Sequence, residues 1–295
     1  MAADLKVLFP TNGAPPVGPY SPGLETSSYV YLSGQGVRNA KSEMPVGIEA
    51  QTQQCVDNVR VLLEAAGLGF ANVVSVQLYL ADLKNLAVVE KIYNQAFSTN
   101  PPRVTLGVAR MPTDTTVEIT VVARKNVLNR VYLPAVYGSS KKDADAKLAI
   151  AMKQAGLTPK EKLFATLYEV GSREDGVVPV QALPGGATHA TVLLKKAQSE
   201  DFAVCAVKAS DPVGTIEEQT RNVFAKLTAC LASQGMTLAN IVATNVYVDD
   251  LNEFTKMNTV YATFFPGVKP TRTTVQPLPP MKSGSLIRIS AVAAR

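Results

Sequence analysis

The chain has 295 residues, 46% of them hydrophobic, and a formal net charge of +5 at pH 7, which is ordinary for a globular protein. No stretch approaches the ~20 consecutive apolar residues of a membrane-spanning helix, and the first residues lack the pattern of a secretory signal. We therefore expect a cytoplasmic protein with no membrane partner. Lysine and arginine are scattered rather than clustered with aromatic residues, which argues against a nucleic-acid partner.

Cysteine and histidine are scarce in this chain. The three cysteines, Cys55, Cys205 and Cys230, are an odd number without CxxC spacing, so they support neither a disulfide framework nor a zinc site. Cys55 and Cys230 fall in helical patterns, and we expect both to be small core residues. The single histidine, His189, is interpreted as a turn or strand residue, which disfavours chemistry that depends on imidazole.

In the first segment, residues 1–127, the spacing of apolar residues predicts alternating strands and helices. Apolar residues recur at helical spacing from Val56 to Ala66, and Gly67 stands where that helix would end. The expected elements are a strand at Tyr29–Leu32, this helix, a strand at Val74–Leu80, a helix marked by Val89, Ile92, Tyr93 and Phe97, and closing strands at Val104–Ala109 and Val117–Ala123.

Two further segments, residues 128–197 and 198–295, repeat this order with changes. The middle segment predicts a strand at Val131–Leu133, a helix at Ala144–Ala155, and strands at Leu163–Val170, Val177–Leu183 and Ala190–Leu194, with a loop at 171–176 in place of the second helix. The last segment predicts a strand at Phe202–Val207, a helix through Val223 and Leu231, a strand at Ile241–Val248, a helix marked by Phe254, Met257, Tyr261 and Phe265, and strands at Thr273–Leu278 and Leu286–Val292.

One sequence interval recurs in all three segments. A glycine precedes a tyrosine by twelve residues in the pairs Gly67 and Tyr79, Gly156 and Tyr168, and Gly235 and Tyr247. Internal repetition predicts repeated structural units. We therefore predict an α+β fold of three β-β-α-β-α-β-β units, the middle one truncated, each with its helices on one face of a mostly antiparallel sheet.

Such sheets leave one face bare, and three of them can bury these faces around a pseudo-threefold centre with the helices outside. The alternative is two domains joined by an irregular linker. A solution mass near the chain mass of 31.4 kDa would favour a monomer with three units closed within one chain, whereas a larger mass would indicate a homo-oligomer.

Four short motifs in the first segment carry a resemblance to a known family. They are Gly18-Pro-Tyr-Ser-Pro22, Ser33-Gly-Gln35, Pro102-Arg103 and Val117-Glu-Ile119, with Ala109-Arg-Met-Pro112 before the last strand. In this order they resemble the RidA/YjgF family, also catalogued as L-PSP endoribonucleases, over residues 10–125. The resemblance implies a chorismate-mutase-like unit, usually assembled as a homotrimer with clefts between subunits, and hydrolysis of reactive imines and enamines.

The resemblance also implies a set of site residues. Arg103 offers a planar fork that can bind the carboxylate of an imino acid, with the backbone at Thr105 supplying further donors. Glu118 would orient or deprotonate the attacking water and protonate the departing ammonia. By resemblance, Tyr20, Ser33 and Gly34 would complete the polar wall, and no metal or organic cofactor is expected.

The other segments depart from the family pattern. The third segment keeps an arginine, Arg272, at the position of Arg103, but it has Arg288 where the first segment has Glu118. In the middle segment, Ala190 stands at the position of Glu118. The asparagine of the family's second helix corresponds to Glu90 in the first segment and is kept as Asn258 in the third. Because family sites straddle subunits, we expect Arg103 and Glu118 to face a wall from another segment that includes Asn258.

The sequence thus predicts an imine or enamine deaminase of the 2-iminobutanoate and 2-iminopropanoate type, acting on a small carboxylate-bearing imine, with one competent site per chain. It rests on Arg103 and Glu118 converging on one crevice from adjacent strands, and it would fall if they pointed to opposite sides of their sheet. Two alternatives remain open, an L-PSP-type endoribonuclease or translation inhibitor, and a non-catalytic binding or chaperone-like scaffold.

Overall fold

The computed structural model describes residues 4–125, 130–158, 160–161, 163–172, 174, 176–196, 202–209, 213–280 and 284–295. Three sheets and five α-helices form in these ranges, which confirms the α+β class. The predicted boundaries between segments, at 127/128 and 197/198, lie outside the described residues, so the division of the chain into three domains stays a prediction.

The first sheet lies in the first segment and has the strand order β1-β2-β3-β6-β4-β5. Its elements are β1 Lys6–Leu8, β2 Gly23–Glu25, β3 Tyr29–Leu32, α1 Ile48–Ala65, β4 Val73–Leu80, α2 Leu86–Ala96, β5 Arg103–Gly107 and β6 Val117–Arg124. β4 and β5 are parallel, whereas the other pairs are antiparallel. The strand β4 therefore separates the two closing strands β5 and β6.

The second sheet is smaller and has the order β10-β9-β11-β7, with β8 also paired to β11. Its elements are β7 Arg130–Tyr132, β8 Val136–Gly138, α3 Lys141–Gln154, β9 Leu163–Val170, β10 Val177–Val180 and β11 His189–Lys196. In the residues described between β9 and β10 no helix forms, which agrees with the predicted truncation, and residues 173 and 175 of that loop lie outside the description.

The third sheet has the order β12-β15-β13-β14. Its elements are β12 Phe202–Lys208, α4 Ile216–Ala232, β13 Ile241–Val248, α5 Phe254–Thr263, β14 Thr271–Val275 and β15 Ile287–Ala294. The helix α4 begins at a capping box, because the Thr215 side chain accepts from the Glu218 N–H while the Glu218 carboxylate accepts from the Thr215 N–H.

The helices cover one face of the first and third sheets. In the first segment, Val56, Val59 and Leu63 of α1 pack on Val76 and Ile119 of the sheet, and all five are almost completely buried. An equivalent core joins α4 and α5 to the third sheet. Each helix needs only one apolar stripe because its opposite face lies in solvent.

The uncovered faces of the three sheets meet in a shared core. Tyr79 of β4, Tyr168 of β9 and Tyr247 of β13 pack there together, with Leu106 and Val275 from the neighbouring strands. These tyrosines are the three that follow a glycine by twelve residues in the sequence. The repeated interval thus places one large side chain from each sheet at the centre of the molecule.

The structure corrects the expectation that the chain has no disulfide and confirms the expectation that Cys55 is a core residue. Cys205 of β12 and Cys230 of α4 form a disulfide, with 6.2 Å between their Cα atoms, so the prediction of no disulfide was wrong. Because α4 packs across β12, residues that are 25 positions apart are brought together. Cys55 is a free, buried thiol, as expected for a core residue. No helix in the described ranges is both long and apolar enough to cross a membrane.

Candidate functional site

A crevice opens where the first sheet meets the third, and we name it the first–third crevice. The end of β3 is fastened to β14 there by backbone contacts. Gly34 N donates to Arg272 O at 3.1 Å, and the Ser33 hydroxyl accepts from Arg272 N at 2.8 Å while donating to Ser21 O at 2.6 Å. The completely buried Ser33 therefore links β3 to β14 and fixes the position of Arg272 on that strand.

The side chain of Arg272 points to the helix side of the third sheet. In the strand register Arg272 lies opposite Thr244 of β13. The Thr244 hydroxyl is hydrogen-bonded to the hydroxyl of Tyr261 on α5 at 2.9 Å. The guanidinium carbon lies 4.8 Å from the Tyr261 ring centre, 5.0 Å from Tyr20 and 5.5 Å from Phe254. Aromatic faces stabilise a cation, and together they hold Arg272, only 3% exposed, at the inner end of the crevice.

Glu118 of β6 reaches the same crevice from the first sheet and is 7% exposed. Its carboxylate lies against Gly34, where an added Cβ would overlap it, so glycine at this position leaves room for the observed placement of the Glu118 side chain. Burial raises the pKa of Glu118 from 4.5 to about 8, and the positive charge of Arg272 acts in the opposite direction. The two groups are thus electrostatically linked across the boundary between the sheets.

Several buried polar atoms in this crevice have no hydrogen-bond partner among the described residues. They belong to Glu118 (Oε1), Asn258 (Oδ1), Arg272 (Nε, Nη1 and Nη2) and Thr274 (Oγ1). Leaving such groups unpaired is costly, and an unpaired buried charge is the most costly of all. A ligand that carries both an anionic group and a polar centre would satisfy them.

The segment from Ala14 to Tyr20 forms the outer wall of the crevice. Its Gly18 packs so closely on Arg272 that an added Cβ would overlap the guanidinium and lie 3.3 Å from the Asn258 amide. The half-buried Tyr20 hydroxyl accepts from Val17 N at 3.0 Å, and burial raises the pKa of this phenol. These contacts shield Arg272 from water.

The expected convergence of Arg103 and Glu118 is wrong. Arg103 pairs in register with Val76, whereas Glu118 pairs with Tyr79, three residues further along β4. Because side chains alternate along a strand, the two point to opposite faces of the sheet, and β4 lies between their strands. The enzymatic interpretation built on that pair therefore falls.

Arg103 instead lies at the boundary between the first and second sheets, where the Ala135 N–H donates to its carbonyl oxygen at 3.3 Å. Its guanidinium is ion-paired with Glu90 of α2 and lies 4.7 Å from the Tyr93 ring centre. The backbone N–H of Thr105, predicted to hold a substrate carboxylate, donates to the Tyr137 hydroxyl at 2.8 Å. The predicted carboxylate-binding groups are thus satisfied by the protein itself.

Another crevice, the second–third crevice, lies between the second and third sheets and has different chemistry again. Arg288, at the position of Glu118, donates to the carbonyl oxygens of Val177 at 2.7 Å and Glu174 at 3.2 Å. On the second sheet, Ala190 is apolar at this position, and the neighbouring His189 has its Nε2 3.3 Å from the Glu169 carboxylate. Neither Arg288 nor Ala190 therefore supplies a carboxylate like that of Glu118 in the first–third crevice.

The structure therefore brings together Tyr20, Ser33, Gly34, Glu118 and Asn258 and leaves Arg103 and Thr105 elsewhere. Sequence reasoning did not assign Arg272 and Thr274, which stand in the third segment where Arg103 and Thr105 stand in the first. A signal was present, because Asn258 precedes Tyr261 by three residues as Glu90 precedes Tyr93, and only the Asn258 copy keeps the family's asparagine.

In the described part of the chain, no group of three or more histidine, cysteine, aspartate or glutamate side chains could hold a metal ion. The crevice has instead the donors and acceptors that recognise a small organic anion. These are a guanidinium, an amide, a hydroxyl and a carboxyl group that can exchange a proton near neutral pH.

Comparison with known proteins gives matches to one family. A family model described as Endoribonuclease L-PSP matches residues 11–125 and 205–295, more than half of the chain. A RutC family protein of Saccharolobus solfataricus is 39% identical over 124 residues, which are 41% of this chain and 98% of that protein. The 2-iminobutanoate/2-iminopropanoate deaminase of Escherichia coli is 34% identical over 123 residues, which are 40% of this chain and 96% of that enzyme.

Among solved structures, the YjgF gene product of Escherichia coli matches with a TM-score of 0.40 and 32% identity, over 41% of this chain and 99% of that chain. The family model matches two regions of this chain, and each of the two curated relatives is matched over nearly its whole length by about two fifths of it. This is consistent with more than one copy of the relatives' unit in the chain.

Proposed function

The chain belongs to the endoribonuclease L-PSP family, and on that premise we propose that its first–third crevice hydrolyses small carboxylate-bearing imines to 2-keto acids and ammonia. The substrates would be of the 2-iminobutanoate and 2-iminopropanoate type that the Escherichia coli relative's name specifies. The observation that carries the proposal is the buried pair of Arg272 and Glu118, whose polar atoms lack partners in the described chain.

Substrate binding falls to the third segment. The carboxylate of the imine pairs with the Arg272 guanidinium, whose parallel N–H groups match two carboxylate oxygens. The Thr274 hydroxyl lies two residues along the same strand and lines the same crevice, so it can donate to the same group. Asn258 offers an amide to the imine end of the molecule. The aromatic rings around Arg272 exclude water and strengthen these interactions.

The chemical step falls to Glu118 of the first segment. A water molecule adds to the carbon of the protonated imine while one of its protons passes to the Glu118 carboxylate, giving a neutral carbinolamine. The C–N bond then breaks as Glu118 returns this proton to the nitrogen, which leaves as ammonia. The hydroxyl proton passes to the Glu118 carboxylate and on to the released ammonia, which leaves the keto oxygen and restores the carboxylate. A pKa of about 8 suits this cycle, because both forms of Glu118 are populated near neutral pH.

The test is keto-acid release from imines generated in situ by an amino acid oxidase. We expect the full chain to accelerate release and Glu118→Gln to lower kcat by about 10²- to 10⁴-fold, the usual contribution of a general acid–base. Glu64→Gln, on the exposed side of α1, is the matched control and should leave the rate unchanged. Full activity in Glu118→Gln, or no acceleration by the wild-type chain, would remove the proposal. Tight binding of the keto acid without turnover would identify a binding protein instead.

A further inference from the structure

The first–third crevice contains a second guanidinium that imine hydrolysis does not require. Arg38 follows the end of β3 and lines the crevice together with Arg272 and Glu118. Its Nε atom is buried without a hydrogen-bond partner among the described residues. Since arginine remains charged at neutral pH, the crevice holds two permanent positive charges and one carboxyl group.

Arg38 is held in place by backbone contacts rather than by an acidic side chain. The buried amide of Asn58 on α1 donates to the carbonyl oxygens of Arg38 and Gly36, at 2.8 Å and 2.9 Å. The Arg38 guanidinium donates to Ser42 O at 2.8 Å and Thr113 O at 3.4 Å. No ion pair joins Arg38 to a carboxylate within the described chain.

The two loops that hold this guanidinium have unusual backbone conformations. Ser42 has φ of 64° and Thr113 has φ of 58°, values that favour glycine. At the turn of the middle segment that corresponds to Thr113, the residue is Gly185, with φ of 64°. In the first segment a threonine, Thr113, therefore adopts the left-handed conformation that favours glycine, and its carbonyl oxygen is the one that accepts from Arg38. Strained positions of this kind concentrate where a ligand is bound.

An arginine that is fixed, charged and unmatched by a carboxylate presents its donors to whatever enters the crevice. A monocarboxylate imine would engage Arg272 and leave the charge of Arg38 unmatched. A second carboxylate at the other end of the substrate would engage Arg38 by a charge-assisted hydrogen bond, which is stronger than a neutral one. The pair of arginines therefore selects for a substrate with a second negative charge.

We propose that the first–third crevice prefers imines of 2-oxo dicarboxylic acids, with Arg272 binding the carboxylate next to the imine and Arg38 binding the distal carboxylate. This rests on the proposed function for the identity of the reacting group. Arg38 is then a specificity-determining residue, whereas Glu118 and Arg272 act on every imine substrate.

The test uses two stable keto acids as probes, the dicarboxylate 2-oxoglutarate and the monocarboxylate 2-oxobutanoate. Their dissociation constants are measured by isothermal titration calorimetry with the full chain. We expect the dicarboxylate to bind at least about tenfold more tightly, as one additional charge-assisted hydrogen bond allows. In Arg38→Met this ratio should fall to about one.

Arg60→Met is the matched control, because Arg60 is a half-exposed arginine of α1 that pairs with Asp57 outside the crevice. The affinity ratio of this control should equal that of the wild-type chain. If Arg38→Met fails to fold, Arg38→Lys replaces it, and the ratio should then lie between those of wild type and one, since lysine keeps the charge but not the fork. A wild-type ratio near one, or an unchanged ratio in the Arg38 variant, overturns the inference.

The same samples separate this inference from the proposed function. Turnover of the monocarboxylate imine with an affinity ratio near one would leave the hydrolysis standing and remove the role of Arg38. An affinity ratio that depends on Arg38, without turnover of either imine, would leave the dicarboxylate selectivity standing and remove the hydrolysis.

Discussion

At the scale of single residues, the chain contains two arginine–tyrosine contacts, one of which is neutralised within the protein while the other keeps its charge available for a ligand. Arg103 and Arg272 occupy equivalent strand positions, and each lies against a tyrosine of the helix that precedes its strand, Tyr93 of α2 or Tyr261 of α5. The difference is the neighbour on the second helix, which is the carboxylate of Glu90 in one case and the amide of Asn258 in the other. A carboxylate neutralises the guanidinium and closes the site, whereas an amide leaves its charge for a ligand.

The raised pKa of Glu118 makes stability depend on pH. Its pKa in the folded chain is about 8 against an ordinary 4.5, so between these values the folded state holds a proton that the unfolded state has lost. The stabilisation is complete below pH 4.5 and is lost as the pH rises through 8, with a slope of up to about 1.4 kcal/mol per pH unit. Denaturant unfolding of wild type and Glu118→Gln from pH 5 to pH 8 should therefore show wild type losing stability relative to the variant. A difference that is independent of pH would contradict this.

A side chain at position 34 would require Glu118 to move, because an added Cβ on Gly34 would overlap the carboxylate of Glu118. We expect Gly34→Ala to displace Glu118 and to lower kcat/KM by about 10²-fold, the effect of misplacing a reacting group by about 1 Å. Gly69→Ala is the control, since nothing lies within 4 Å of the Cβ that it adds. Equal kcat/KM in both variants would show that Glu118 does not need this gap.

Much of the site could be predicted from local motifs, but not which arginine completes it. Tyr20, Ser33, Gly34 and Glu118 stand in short motifs whose order is visible in the sequence, and the structure places all four beside one crevice. The error over Arg103 arose because the register of β5 and β6 on β4 decides which face each side chain takes, and register is not visible in either strand alone. The correct arginine lies 154 positions from Glu118 in the sequence.

At the scale of elements, the helix ends were the most predictable feature. Gly67, Gly156 and Gly235 follow the helices α1, α3 and α4, and their φ values of 69°, 67° and 68° are left-handed. Such an ending is a local property that glycine alone adopts without strain, so the sequence signals it directly. The disulfide was missed for the opposite reason, because the pairing of cysteines depends on how α4 packs on β12.

The disulfide should stabilise the third segment. Cys205 and Cys230 are separated by 25 residues, and the chain-entropy account assigns about 3.5 kcal/mol to closing a loop of that length. We expect a reducing agent to lower the midpoint of denaturant unfolding of the wild-type chain. A variant with alanine at both positions is the control and should not respond to the reductant. An unchanged wild-type midpoint, with both thiols shown to be reduced, would contradict the expectation.

At the scale of the whole molecule, three sheets that share a core meet at three boundaries with three different chemistries. The first–third crevice combines Glu118 with Arg272, the polar groups at Arg103 and Thr105 are paired internally with Glu90 and Tyr137, and the second–third crevice has Arg288 in place of a carboxylate. Covalent linkage of the segments allows this divergence, because each segment can change without changing the others. A homo-oligomer of identical chains would have to repeat one chemistry at every crevice.

The central claim is that one crevice is built from Glu118 of the first segment and Arg272 of the third. Its most direct test is the rate of keto-acid release by Arg272→Ala and Arg103→Ala, measured side by side with the wild-type chain. We predict that Arg272→Ala lowers kcat/KM by about 10²-fold or more, because the substrate carboxylate then loses its charge-assisted hydrogen bonds, and that Arg103→Ala retains turnover. Loss of activity in Arg103→Ala with retention in Arg272→Ala would contradict the account.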